Sequence, residues 1–316
     1  MTLRTMRRPV FIDTDVGLGT PGAEIDDGAA LLVLLRAPQV TVVGCGSVHG
    51  NVEIEAADHN LRRILAAEDR GDLPVGRGAA LPLLEDPAWF ANWKAGYGPT
   101  EPLPGSGGLP PTAALLIDAA RAHPGALTVL AVGPLTNLAL AARLAPDIVP
   151  LVREVVTMGG AFGGEDDAAQ ATTAEFNARC DPEAAAIVLG AGWPVRCFGL
   201  EITRRVHFSR ADFAGLTDTQ AVPALLKRQA SGWIDRVEAQ GWEHDGCSLH
   251  DAVAAAALVD ETLAQYRAGE VSVELTERGR RGCMQLRPRA DGRVRVAVDL
   301  DVARCKHTIW SAVAGS

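Results

Sequence analysis

Short apolar runs alternate along the chain with segments in which apolar residues recur every three or four positions. The first run predicts a strand over residues 9–15, and the leucine-rich segment after it predicts a helix that begins near Asp26. The alternation continues, with strands predicted over residues 40–45, 128–132, 154–158 and 195–198 and helices over residues 54–65, 136–144 and 182–189. This order favours an α/β fold with a mostly parallel central sheet, Rossmann-like and open, covered by helices on both faces.

Two segments depart from this alternation. Residues 85–111 are rich in aromatic residues and end in a stretch of prolines and glycines, so we expect an inserted loop or a lid. Residues 270–302 contain two runs of alternating apolar residues, which predict a small C-terminal β-hairpin with its turn at residues 290–292. Because no internal repeat or long linker interrupts the sequence, we expect one domain over residues 1–316.

The composition is that of a globular protein, with 47% hydrophobic and 22% charged residues. A net charge of -9 offers no basic excess that would displace counterions from a polyanion, so nucleic acid is not an expected partner. The longest apolar runs are too short to span a membrane, and the first strand leads into acidic residues rather than a signal-peptide cleavage site. The six cysteines are scattered without a C-x-x-C pair, which indicates reduced thiols and a cytoplasmic protein.

Carboxylates are concentrated near the N-terminus. Asp13 and Asp15 end the first predicted strand, and Asp26 and Asp27 begin the first predicted helix. Like charges at one strand end are destabilising unless a cation neutralises them, and hard oxygen ligands select Ca²⁺ or Mg²⁺. Helix capping would explain Asp26 and Asp27 but not the pair on the strand. The whole set therefore predicts a metal site.

The polar residues at the ends of the strands resemble motifs of the nucleoside hydrolase family, of the inosine-uridine preferring type. Residues 12–17 followed by Asp26-Asp27 are similar to the family's D-x-D-x-G-x-D-D fingerprint, with a longer loop, residues 18–25, before the aspartate pair. Further motifs match in chain order between residues 9 and 300; they are Gly50-Asn51, Val132-Gly133-Pro134-Leu135-Thr136-Asn137, Met158-Gly159-Gly160, Glu175-Phe176-Asn177 and Leu249-His250-Asp251.

The resemblance implies a Ca²⁺-dependent hydrolase that splits the N-glycosidic bond of a ribonucleoside, or of a related N-riboside, into free base and ribose. The metal ligands that it implies are Asp15, Asp27, the carbonyl of Val132, and Asp251. The residues implied to bind substrate are Asp26, Asn51, Glu175, Asn177 and His250. Asp13 is expected behind the metal ligands, where it orients them.

Two catalytic roles follow from the same resemblance. Asp15 is the expected general base, because it would lie beside the attacking water. His250 is expected either to protonate the leaving base or to act only as an orienting residue beside the metal site. The expected partners are a small-molecule nucleoside or N-riboside and further copies of the chain, as a homodimer or homotetramer.

The remaining candidates surround this site. Trp89, Phe90 and Trp93 are interpreted as lid or subunit-interface residues, and the segment with Trp242 and His244 as a loop over the pocket. The longer loop, residues 18–25, is made of small and turn-forming residues, so it can pack closely against a ligand with Glu24 facing the pocket.

Two other functions compete with the hydrolase. A strand that ends in Asp13-Thr14-Asp15 also suits a haloacid-dehalogenase-like phosphatase that uses Mg²⁺, although that interpretation leaves the later motifs unexplained. The other alternative is a catalytically silent ribose- or nucleoside-binding protein of the same fold, because a fold does not by itself determine a function.

Overall fold

The structure is a computed structural model that describes residues 7–90, 93–100, 110–162 and 173–315. The side chains of Trp89 and Phe90 lie outside this description, and so does part of the 85–111 segment, so their predicted roles stay predictions. Within the described residues, eleven strands and eleven α-helices alternate along the chain. The strands are β1 (Arg8–Thr14), β2 (Val40–Ser47), β3 (Val75–Gly76), β4 (Thr128–Ala131), β5 (Glu154–Met158), β6 (Val195–Phe198), β7 (His207–Ser209), β8 (Gly246–Ser248), β9 (Ala264–Val273), β10 (Met284–Pro288) and β11 (Val294–Leu300).

The helices predicted over residues 54–65, 136–144 and 182–189, and the one predicted to begin near Asp26, begin and end close to those positions. The described helices are α1 (Asp26–Leu35), α2 (Ile54–Ala67), α3 (Thr112–Ala122), α4 (Thr136–Leu144), α5 (Phe176–Cys180), α6 (Pro182–Gly190), α7 (Leu200–Thr203), α8 (Arg210–Ala214), α9 (Ala221–Ala239), α10 (His250–Val259) and α11 (Val302–Ala314). None of the described helices is long and apolar enough to cross a bilayer. All six cysteines lie in the described part of the chain as buried, free thiols.

Nine of these strands form one sheet in the order β10-β9-β11-β6-β5-β4-β1-β2-β3. Every neighbouring pair from β3 to β11 in this order is parallel. Among the described strands of the sheet, only β9 is antiparallel, and it pairs in this way with both β10 and β11. The predicted α/β class with a mostly parallel sheet is therefore confirmed. Since the nine strands share one hydrogen-bonded sheet, we propose that the chain is a single domain.

The sheet is buried on both faces because successive strand residues point to opposite sides. Val10 and Ile12 of β1 belong to a core shared with α1, α10 and α11, whereas Phe11 belongs to a core shared with α3, α4 and α6. This arrangement explains why β1 is a continuous apolar run rather than an alternating one. It also leaves only the ends of the strands available for polar chemistry.

The predicted C-terminal antiparallel unit is present, because the two predicted runs fall in β9 and β11, which pair antiparallel with each other. The turn at residues 290–292 does not close a hairpin between β10 and β11, because the ten-residue strand β9 lies between them and pairs with both. The connection instead crosses β9, where Gly292 lies so close to Gly269 that a Cβ would overlap its backbone. The alternation of apolar residues predicted β9 and β11 but not β10, the third strand of the unit.

Candidate active site

The aspartates of the N-terminal motif come together at the carboxyl end of the sheet. Asp13 and Asp15 are buried at the end of β1, and Asp26 and Asp27 are buried in the first turn of α1. Carboxylate oxygens of Asp26, Asp27 and Asp251 lie within 4.8 Å of one another. Asp251 belongs to the first turn of α10, so two helix starts and one strand end meet at this point.

Backbone and amide groups hold two of these carboxylates in place. The backbone N–H of Asn51 donates to Asp15 Oδ2 at 2.7 Å, and its side-chain Nδ2 donates to Asp27 Oδ2 at 3.2 Å. The hydroxyl of Thr14 donates to the other oxygen of Asp27. Asn51, predicted to bind substrate, is therefore also the residue that fixes Asp15 relative to Asp27.

Asp26 is bound differently from Asp15. Its two carboxylate oxygens accept the backbone N–H groups of Asp27 and Asp251, each at 3.1 Å. By contrast, Asp15 Oδ1 is buried and accepts no hydrogen bond from any described residue. A buried, unpartnered carboxylate oxygen is costly unless something else satisfies it.

The carboxylates of this cluster are buried next to one another, so a positive charge among them would be stabilising. Burial and the neighbouring charge of Asp27 raise the pKa of Asp15 well above its usual range, and burial together with Asp26 raises the pKa of Asp27 to about 7. Burial and then the carboxylates of Asp26 and Asp27 also raise the pKa of Asp251. Buried carboxylates with spare oxygens are the donor set that hard divalent cations bind, so these residues fit a metal ion.

Glycine makes the tight packing around Asp15 possible. A Cβ at Gly50 or at Gly133 would overlap the Asp15 carboxylate. Gly50 also has a φ of +152°, a conformation that side-chain-bearing residues rarely adopt. The loops after β2 and β4 therefore approach Asp15 from both sides.

A cavity of about 300 Å³ opens above these carboxylates. Every residue predicted to bind substrate lines it, and so do Val132 and Asp251 of the predicted metal set. Asp15 and Asp27 do not line it, because both are fully buried. The cavity is at the carboxyl ends of the parallel strands, where open α/β sheets bind ligands.

One wall of the cavity is built on the start of α5. Glu175 caps this helix by accepting the backbone N–H groups of Asn177 at 2.8 Å and Ala178 at 3.1 Å, and it also accepts the N–H of Gly160 at 3.0 Å. Asn177 donates its Nδ2 to the carbonyl of Val132 at 2.9 Å. That carbonyl keeps a second lone pair for another partner.

His250 is held at the opposite side of the cavity. Its Nδ1 lies 2.8 Å from the hydroxyl of Thr203, and its Nε2 lies 3.7 Å from Glu243 Oε1. Glu243 in turn accepts a hydrogen bond from Ser248 at 3.0 Å and lies 3.2 Å from Nδ1 of His207. The sequence did not single out Thr203 or Glu243, because neither belongs to a recognisable motif.

Asp13 stands behind the site and does not line the cavity. Its Oδ1 accepts a hydrogen bond from Asn137 Nδ2 at 2.8 Å, and burial raises its pKa to about 8 while that bond lowers it. Asn137 also donates to the carbonyl of Ser47 at 2.9 Å and accepts the N–H of Ala79 at 2.9 Å. Asp13 therefore anchors the loops around the site, in line with its predicted supporting position.

Aromatic side chains form another wall of the cavity. Trp93 stacks on Trp242 with ring centroids 5.1 Å apart, and it lies 4.3 Å from Phe176 and 6.4 Å from Trp233. All four line the cavity, including Trp93, for which only a lid or interface role was predicted. His244 is exposed and does not line it. Because these tryptophans are far apart in the sequence, their positions did not predict that they form one wall of a cavity.

The longer loop, residues 18–25, packs into the protein instead of bulging into solvent. Leu18, Ala23 and Ile25 are fully buried. The side chain of Leu18 packs directly against α1 at Gly28, so a Cβ at position 28 would overlap the Leu18 side chain. Glu24 is half-buried and lines the cavity, as the loop composition predicted.

Comparison with known proteins agrees with this geometry. The profile of the family "Inosine-uridine preferring nucleoside hydrolase" matches residues 10–307. The chain is 31% identical over 315 residues to a non-specific ribonucleoside hydrolase RihC of Escherichia coli O1:K1 / APEC, covering 94% of this chain and 95% of that protein. It is 32% identical over 271 residues to a probable uridine nucleosidase 2 of Oryza sativa subsp. japonica, covering 84% of this chain and 78% of that protein.

Solved structures share the fold. A plant nucleoside hydrolase superposes with a TM-score of 0.79 at 25% identity, covering 98% of this chain and 99% of that one. A purine-preferring ribonucleoside hydrolase from Gardnerella vaginalis gives a TM-score of 0.83 at 24% identity, covering 98% of each chain. The motif order, the buried aspartates and the match over most of the chain lead to one conclusion: this protein belongs to the inosine-uridine preferring nucleoside hydrolase family and is a ribonucleoside N-ribohydrolase.

Proposed function

We propose that this enzyme hydrolyses ribonucleosides to free base and ribose with Ca²⁺ as cofactor, with Asp15 as general base and His250 as general acid. The single observation that supports it best is the cavity whose floor holds the aspartate cluster and whose walls hold Asn51, Glu175, Asn177 and His250. The phosphatase alternative leaves these wall residues without a role.

The residues proposed to hold the metal are Asp15, Asp27, Asp251 and the carbonyl of Val132. We favour Asp15 over Asp26, although Asp26 belongs to the compact group, because both oxygens of Asp26 already accept backbone N–H groups. Asp15 Oδ1, by contrast, is buried and has no hydrogen-bond partner among the described residues. A bound divalent cation supplies Lewis acidity, lowering the pKa of a water molecule and offering positions for ribose hydroxyls.

The wall residues are proposed to bind the sugar. Asp26, Asn51, Glu175 and Asn177 surround the cavity above the cluster, and their oxygens accept hydrogen bonds from ribose hydroxyls. Cleavage passes through an oxocarbenium-like state, so carboxylates placed around the ribose stabilise the positive charge that develops on it. Asp15 accepts the proton of the attacking water from below the ribose.

The base is proposed to lie between His250 and the aromatic wall. Trp93, Phe176 and Trp242 offer ring faces that stack on a heteroaromatic base. His250 is then placed to give a proton to the departing base, held by Thr203 and Glu243. The kinetics of His250→Ala on nucleosides and on 4-nitrophenyl riboside distinguish this role from that of an orienting residue.

A panel of nucleosides tests the proposed function directly. We expect the purified protein, supplied with Ca²⁺, to release reducing sugar from at least one purine or pyrimidine ribonucleoside. Deoxyribonucleosides serve as the control, since they lack the 2′-hydroxyl that the cluster is proposed to bind. Binding of ribonucleosides without any release of ribose would instead establish a catalytically silent binding protein.

We also propose that the protein is a homodimer or homotetramer of the cytoplasm. Leu81 and Leu84 are 62% and 78% exposed next to the 85–111 segment, which is typical of a subunit contact. Buried free thiols support a reducing compartment. Light scattering at micromolar concentration is expected to report an oligomer, and a monomeric mass would contradict the proposal.

A further inference from the structure

The longer loop, residues 18–25, is fastened to the elements that carry the aromatic wall. The N–H of Gly19 donates to Gln229 Oε1 of α9 at 2.9 Å, and α9 also carries Trp233. The carbonyl of Pro21 accepts the N–H of Gly98 at 2.8 Å, from the segment that begins with Trp93. The loop therefore belongs to the same side of the cavity as the aromatic residues.

Asn60 of α2 fixes the other end of the loop. Its Nδ2 donates to the carbonyls of Val16 and Gly17 at 3.1 and 3.3 Å and lies 3.0 Å from the hydroxyl of Thr20. At Gly17 a Cβ would come within 2.6 Å of the backbone oxygen of Glu24, so the chain doubles back tightly here. The position of Glu24 is thus set by contacts on both sides of the loop.

Glu24 differs from three other acids that line the cavity, Asp26, Glu175 and Glu243, in having no hydrogen-bond partner among the described residues. Asp26 accepts two backbone N–H groups, Glu175 accepts three, and Glu243 contacts His250, His207 and Ser248. The carboxylate of Glu24 accepts no hydrogen bond from the described residues, although it is half-buried and lines the cavity. Burial, and then the carboxylates of Asp26, Asp27, Asp15 and Glu175, raise the pKa of Glu24.

An acceptor in this position suits a hydrogen-bond donor of the ligand and disfavours an anion. We propose that Glu24 is a specificity-determining residue that accepts a hydrogen bond from an N–H group of the nucleobase, so that the enzyme favours ribosides whose bases present such a donor. This inference rests on the proposed function, since that function places the base against the aromatic wall. A buried hydrogen-bonding group left without its partner costs about 1–3 kcal/mol, which is enough to discriminate between substrates.

The test compares two substrates in the holoenzyme with Ca²⁺. Inosine presents an N–H donor on its base, whereas the leaving group of 4-nitrophenyl β-D-riboside has none. In Glu24→Ala, we expect the ratio of kcat/KM for inosine to that for the nitrophenyl riboside to fall about tenfold, as for the loss of one hydrogen bond in a buried site. Glu24→Gln keeps a neutral acceptor of the same shape, so its ratio should lie between those of Glu24→Ala and wild type.

Gln229→Ala is the matched control, because it loosens the loop without removing the carboxylate and Gln229 does not line the cavity. An unchanged ratio in Glu24→Ala, or an equal loss on both substrates, would overturn the inference. An equal change in Gln229→Ala and Glu24→Ala, with none in Glu24→Gln, would also overturn it. Calcium titration and the melting temperature of each variant separate these results from loss of metal or of fold. Failure of the wild type to hydrolyse any ribonucleoside of the panel would refute the proposed function instead.

Discussion

Replacement of Asp15 with asparagine is expected to lower kcat by about 10²–10⁴-fold, because it removes the proposed general base. The substitution preserves the shape of the side chain and the acceptor for the N–H of Asn51, which lies 2.7 Å from Asp15 Oδ2. Steady-state kinetics at saturating Ca²⁺, together with a calcium assay of the variant, is the measurement. A variant that retains calcium and turns over at the wild-type rate would show that another group activates the water.

His250→Ala is the contrasting variant for this experiment. If His250 protonates the leaving base, its loss should reduce cleavage of nucleosides more than cleavage of 4-nitrophenyl riboside, whose leaving group departs without a proton. Asp15→Asn should reduce both, since both substrates need an activated water. Equal losses on the two substrates in His250→Ala would favour the orienting role, in which His250 acts through its neighbour Asp251.

Removal of calcium is expected to abolish activity and to lower stability. The cluster of Asp26, Asp27 and Asp251 oxygens lies within 4.8 Å, and burial leaves these carboxylates repelling one another when no cation is present. A cation at 100 times its dissociation constant would add about 2.7 kcal/mol of folding free energy. We therefore expect chelation to lower the melting temperature, and added Ca²⁺ to restore both stability and turnover.

Elemental analysis supplies the identity of the metal, and the expected content is about one Ca²⁺ per chain, as for one oxygen-lined site. Asp27→Asn should weaken calcium binding and reduce the stabilisation by Ca²⁺. Asp260→Asn is a suitable control because Asp260 is a surface acid paired with Arg304, outside the cavity. Full activity in chelator, in a protein without divalent metal, would refute the cofactor assignment.

Much of the fold could be predicted from local pattern. Buried parallel strands are short apolar runs, so the predicted strand 154–158 and helix 136–144 coincide with β5 and α4. The order of the antiparallel strands was not predictable in the same way. The alternating runs at residues 271–275 and 294–300 predicted two strands, whereas the order β10-β9-β11 depends on which backbone groups meet across the sheet.

The candidate site, like the fold, was predicted from the sequence only in part. Asp13, Asp15, Asp26 and Asp27 were recognisable from the sequence pattern, because carboxylates at the ends of apolar strands and the starts of helices are conspicuous, and parallel strands bring those ends to one edge. Asp251 was implied only by the family resemblance. Only the tertiary structure decided that Trp93, Phe176, Trp233 and Trp242 face one cavity, since rings up to 149 positions apart meet through long-range packing. It also decided that Glu24 lacks a partner, because hydrogen-bond satisfaction depends on neighbours that the linear order does not reveal.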